Sequence, residues 1–262
     1  MKIKISTTAI IIILSTILVG CIAYSVFYNN TPSVVFLNKN ELASFLIKDK
    51  DNYYKSFNEK DFIVRNVSSI DEYREKIRNG TSDFSLSQKG KVIFCVEKLN
   101  KMLVNVKYPW FDGKKAIKSP WKFGSIDGSN YENGLPHTRN DVIILPQVTL
   151  DNYPQQELTK LILHEKIHIY QKMYPRDIEN YIQHNKYYKF KKRMEIIDSR
   201  ANPDLDEWTY NDSTNKTFVA IYNPNPTNIS DVQFYPDNTV NEEHPYEKMA
   251  YEMSETITKQ LY

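Results

Sequence analysis

Two prolines, Pro154 and Pro175, bracket the stretch that most limits how this chain can fold. Proline suits the first turn of a helix and cannot continue a last one, so a single helix is predicted over 154–173, with Asp151 and Asn152 ahead of it as capping residues. On the helical wheel Leu158, Leu161, Ile162 and Ile169 fall on one flank, and Leu163, Ile167 and Tyr170 on the other. A helix apolar on both flanks is buried on both, leaving only a narrow polar wedge around Gln155, Thr159 and Lys166. Its remaining face opens into a cleft and carries His164 and His168.

Residues four apart on a helix lie one turn apart, about 40° from each other, so both imidazoles can reach one metal ion. Glu165 projects about 100° from His164, where a carboxylate can take a proton from metal-bound water without being a ligand. Zinc lowers the pKa of that water from about 15.7 to about 7, which is the chemistry of hydrolysis.

A hydrolytic zinc site uses three protein ligands, so one more side chain must come from elsewhere. Near the C-terminus Pro245 marks a second helix start, and Tyr246, Met249, Ala250, Met253 and Ile257 form its buried stripe. Glu247 sits at the edge of that stripe, beside the small residues Ala250 and Ser254 that let two helices approach closely, whereas Glu252 and Glu255 face solvent. Glu247 is therefore the expected third ligand. Tyr251 and His244 are the candidate electrophilic helpers.

The order His164-Glu165-x-x-His168 resembles the zincin clan of metallopeptidases, and Pro245-x-Glu247-x-x-Ala250 resembles the glutamate-bearing helix of its gluzincin branch. Lys166 departs from the clan's extended signature, which wants uncharged residues between the histidines. A metzincin continuation is excluded, because Gln171 and Tyr174 occupy its glycine and histidine positions. More loosely, the Asn, Lys, Ile and Tyr bias and the segment Gly134-Leu-Pro-His-Thr-Arg139 resemble zincin-like proteins of large DNA viruses.

These resemblances imply an α+β zincin-like catalytic domain over 106–262 that holds one zinc ion and hydrolyses a peptide or protein substrate. They also imply that residues 140–146, a buried strand ending at Pro146, form the sheet edge that pairs with an extended peptide. The alternative is a catalytically inactive zincin-fold binding protein at a cell or virion surface. Glu165 argues against it, since a structural metal site needs no general base.

The rest of the chain frames this domain. Residues 6–28 carry no charge, with Lys2 and Lys4 before them and no basic residue after them until Lys39. A transmembrane helix within 1–30 is expected, with a cytoplasmic N-terminus and the large domain on the non-cytoplasmic side. A cleaved signal, or a lipid on Cys21 after Leu18-Val-Gly, are the other readings of that run. Residues 31–105 read as a helical supporting region, with helices near 41–47, 70–77 and 90–103.

Residues 108–139 read as turn-rich covering structure, in which His137 and Arg139 are candidate substrate contacts. A helix over about 176–196 is expected to put Lys186, Lys189, Lys191, Lys192 and Arg193 on a solvated face opposite an aromatic core stripe. Asp204 and Asp206 fall in an expected surface turn, and 217–222 with 232–235 in a short β pair. Net charge is +2 with 25% charged residues, so nothing points to nucleic acid. Two cysteines, Cys21 and Cys95, exclude a disulfide framework and a thiolate metal cluster.

Overall fold

The computed structural model describes residues 34–238 and 243–259, so the uncharged N-terminal run and Cys21 lie outside the described residues. Among the described residues no helix is long and apolar enough to cross a membrane. Their architecture is mixed α and β, with a five-stranded sheet, a four-stranded sheet and a two-stranded pair.

The five-stranded sheet runs β1 (Val34–Phe36), β5 (Trp121–Ile126), β7 (Val142–Pro146), β6 (His137–Arg139), with β2 (Thr81–Ser82) also on β5. β3 (Lys107–Tyr108) and β4 (Phe111–Asp112) form a separate two-stranded pair. β1, β5 and β7 are parallel, and β6 folds back antiparallel on β7 through Asn140, which sits at φ 50°. The span 108–139 therefore contains the strand at the middle of this sheet, not only covering loops. Pro120 before it and Gly124 within it read as breakers, yet Gly124 is there for closeness: a Cβ would stand 2.5 Å from Leu42 Cδ1.

β7 is also not an edge. It lies between β5 and β6, and all five of its residues are buried. The edge on that side is β6, and the outward backbone groups of its middle residue are already taken. Thr138, its middle residue, donates its N–H to Asp204 Oδ1 at 2.7 Å, and its carbonyl accepts from Lys172 Nζ at 3.0 Å. Through β1 and β2, which pair with β5, the region 34–105 contributes two strands to the same sheet, and Val34–Tyr262 form one compact unit.

Helices cover the sheet: α1 (Lys39–Ile47), α2 (Glu59–Val64), α3 (Ile70–Gly80), α4 (Leu86–Leu103), α5 (Gly113–Lys118), α6 (Gln147–Asn152), α7 (Gln155–Met173), α8 (Pro175–His184) and α9 (Pro245–Thr258). The local signals for their starts are plain: Asn38, Asn58 and Ser85 each close a capping box, and Ser69 accepts the Glu72 N–H. α7 packs on α4, α9 and β7, with Leu158, Ile162, Leu163, Ile167, Ile169 and Tyr170 all in one core. Its polar wedge is not solvated. Lys166 is 1% exposed, lies 4.5 Å over the Trp121 ring, and donates to Ser119 Oγ at 2.7 Å and Ser119 O at 3.1 Å.

The second sheet is an antiparallel four-stranded array of β8 (Tyr188–Lys192), β9 (Trp208–Asn211), β10 (Thr217–Tyr222) and β11 (Val232–Tyr235). The expected helix to 196 ends at His184, because Asn185 caps it and Lys186 takes φ 57°. The basic segment becomes the edge strand β8, whose five residues are all exposed. Tyr188 and Phe190, 57% and 45% exposed, do not join the core; Tyr187 does.

Candidate metal centre

His164 and His168 stand one turn apart on α7 with their ring centroids 4.7 Å apart and their Nε2 atoms 3.1 Å apart. The partner is Glu247, in the first turn of α9. His244 caps that helix by accepting the Tyr246 N–H on Nδ1, and Pro245 opens it. Ala250 and Ser254 are both buried, so the two helices pack close enough for Glu247 Oε2 to lie 3.3 Å from His164 Nε2 and 3.5 Å from His168 Nε2.

These separations fit a metal. Bonds of about 2.0–2.1 Å in a tetrahedral zinc set require donor atoms roughly 3.3–3.4 Å apart. At 3.1, 3.3 and 3.5 Å the three donors lie close to that spacing, and they combine two imidazoles with one carboxylate. His168 is also prepared from behind. Gln171 Nε2 donates to Tyr246 O at 3.0 Å, so its Oε1, 2.9 Å from His168 Nδ1, is the acceptor. An amide oxygen only accepts, so Nδ1 carries a hydrogen and Nε2 is turned toward Glu247.

Charge in the centre is tightly coupled. Burial works against a charged His168, but Glu247, Asp204 and Glu165 outweigh it and lift its pKa to about 9. Burial likewise opposes charge on Glu247, yet His168 and His164 hold its carboxyl well below the usual range. Glu165 goes the other way: burial first, then the neighbouring Asp204, push it up to about 8. Its Oε2 accepts the Thr138 hydroxyl at 2.8 Å.

His164, Glu165, Glu247 and Tyr251 line one cavity of about 560 Å³, whose apolar wall includes Leu135, Leu161, Ile229 and Phe234. The Tyr251 ring centre is 4.5 Å from that of His164. Three other sequence-derived candidates are placed differently. His244 is buried in its capping role, with Nε2 3.1 Å from Trp208 O and 3.3 Å from Asp206. Arg139 is buried and turned onto Asp49 and Asp51, at 2.8 and 2.6 Å, and does not line the cavity. His137 does border the cavity, but Leu135 O and the Tyr131 hydroxyl occupy its two ring nitrogens.

Sequence reasoning missed Thr138 and Gln171, which bond Glu165 and His168, and two residues of one turn. Asp204, expected at the surface, is 6% exposed and takes the Thr138 N–H. Asn202 Nδ2 donates to Glu247 Oε1 at 3.1 Å. The only local sign of this turn is the run Asn202-Pro203-Asp204, which reads equally well as solvated loop. Comparison of the chain with protein-family models, curated proteins and solved structures finds no match.

Proposed function

We propose that this protein is a zinc-dependent metallopeptidase of zincin type, anchored in a membrane by residues 6–28 with its catalytic domain on the non-cytoplasmic side, at a cell or virion surface. The observation that supports it is the meeting of His164, His168 and Glu247 at tetrahedral spacing, with Glu165 on the wall of the same cavity. His164, His168 and Glu247 would hold the ion. Zinc bound there would supply a Lewis acid able to activate water near neutral pH and polarise a peptide carbonyl.

The chain's own groups do the rest. Glu165 keeps Oε2 on the Thr138 hydroxyl, which leaves Oε1 to take a proton from the attacking water and return it to the leaving nitrogen. Burial and the neighbouring Asp204 raise the pKa of Glu165, which makes the ionised carboxylate a stronger base than an exposed one. Tyr251, beside His164, is the donor to the oxygen on which charge develops. Leu135, Ile229 and Phe234 receive an apolar side chain of the substrate.

Glu165→Gln is the test. The variant should bind zinc stoichiometrically as wild type does, and lose turnover of a mixed peptide library by 100-fold or more, within the range of about 10²–10⁴ for general-base catalysis. A wild-type protein that takes up no zinc, or a variant with unchanged turnover, overturns the proposal. Zinc uptake with no turnover in either protein favours a metal-bearing binding protein instead.

A further inference from the structure

We infer that Asn202 is a positioning residue for the metal centre, holding Glu247 so that a single oxygen faces the two imidazoles; this rests on the metal-binding reading above. A free carboxylate on a helix can present one oxygen or both to a cation, and the choice sets coordination number and the room left for water. Here the choice is made from outside. Asn202 Nδ2 donates to Glu247 Oε1 at 3.1 Å, and the opposite oxygen, Oε2, is the one near His164 and His168.

Asn202 is itself fixed. Its amide nitrogen also donates to Glu243 Oε2 at 3.1 Å, and its Oδ1 accepts the Asp204 N–H at 2.9 Å, so donor and acceptor ends are both assigned. Glu243 is in turn held by Arg200 through two hydrogen bonds. Lys172, in the last turn of α7, ties the same loop down by donating to Pro203 O at 2.9 Å and Thr138 O at 3.0 Å. One turn, 200–204, thus carries a donor to the third ligand and, through Asp204 and Thr138, a hydrogen-bonded path to Glu165. A loop that only covered the cavity has no need to place an amide between two buried carboxylates, Glu243 and Glu247.

The test compares wild type with Asn202→Ala, Asn202→Leu and Asn202→Ser, measuring zinc affinity by chelator competition, the visible spectrum of the cobalt(II) form, and the melting temperature of the metal-free protein. Ala and Leu should weaken zinc binding by roughly 10–100-fold, the size seen when a ligand's supporting hydrogen bond is lost. Their cobalt spectra should weaken as Glu247 offers both oxygens. Leu, which keeps the volume, should do no better than Ala, and Ser, which keeps a hydroxyl donor and a turn-forming oxygen, should recover part of the loss.

Wild-type affinity and an unchanged cobalt spectrum in Ala and Leu overturn the inference while leaving the metallopeptidase reading intact. Affinity restored by Leu alone also overturns it, since space-filling would then suffice. A wild-type protein without zinc affinity overturns both. Because the spectrum reports only folded protein, a drop in melting temperature does not mask the result.

Discussion

Replacing Glu247 by glutamine keeps the shape of the side chain, removes its charge, and has consequences that divide by pH and by metal. In metal-free protein, Glu247 is the foremost of the groups that overcome burial and raise His168 from its ordinary 6.5 to about 9. That rise is worth on the order of 3 kcal/mol, and Glu247 is its largest contributor. The folded pKa lies above the unfolded one, so the stabilisation is complete below about pH 6.5 and is lost as pH rises through about 9. Glu247→Gln should therefore lose a large part of that in urea unfolding with chelator at pH 6, and almost nothing at pH 10.

Zinc adds a second difference. At a hundredfold excess over its Kd it stabilises wild type by about 2.7 kcal/mol, or roughly 5–11 °C for a unit of this size. The variant at the same zinc concentration should show little of that rise. A zinc-induced shift equal to wild type removes Glu247 from the ligand set. A metal-free stability loss that does not change between pH 6 and pH 10 refutes its coupling to His168.

Two further predictions concern groups away from the ligands. Burial opposes charge on Glu132, but Arg65, donating from Nε at 3.0 Å and Nη2 at 2.8 Å, overcomes it and holds the pKa down to about 2. The folded pKa lies below the unfolded one, so Glu132→Gln should cost about 3 kcal/mol at pH 7, a difference that fades as pH falls from about 4.5 toward 2; a pH-independent gap in urea midpoints contradicts this. Lys166 is lowered to about 7 by burial, so the unfolded chain binds the extra proton between pH 7 and 10. Wild type should gain on Lys166→Met by about 4 kcal/mol across that window, and parallel stability curves for the two proteins rule the burial account out.

Much of the centre was legible because it is written in local periodicity. The 154–173 helix is present as Gln155–Met173, and the spacing of His164 and His168 on one face follows from helix geometry alone. Glu247 could be singled out because Ala250, Ser254 and the buried stripe of α9 are all features of one helix. The β10 and β11 pair was legible for the same reason, since alternation and turn residues lie within a short span. The burial of Lys166 within its polar wedge was not legible, because a wheel shows a residue's direction but not what covers it, and Ser119 and Pro120 come from a different part of the chain.

By itself, then, the sequence determined which residues share a helical face, where the two ligand-bearing helices begin, and that three donors of the right chemistry exist. Tertiary structure alone decided that β5 lies at the middle of a sheet, that β7 is shielded by β6, that residues 188–192 form a strand instead of continuing a helix, and that the 200–204 turn closes over Glu165 and Glu247. The physical reason is range. Caps and apolar stripes act over three or four residues of one segment, whereas strand order and the seat of a loop depend on partners from 27 to 66 positions away, as Thr138 is from Glu165 and Asp204.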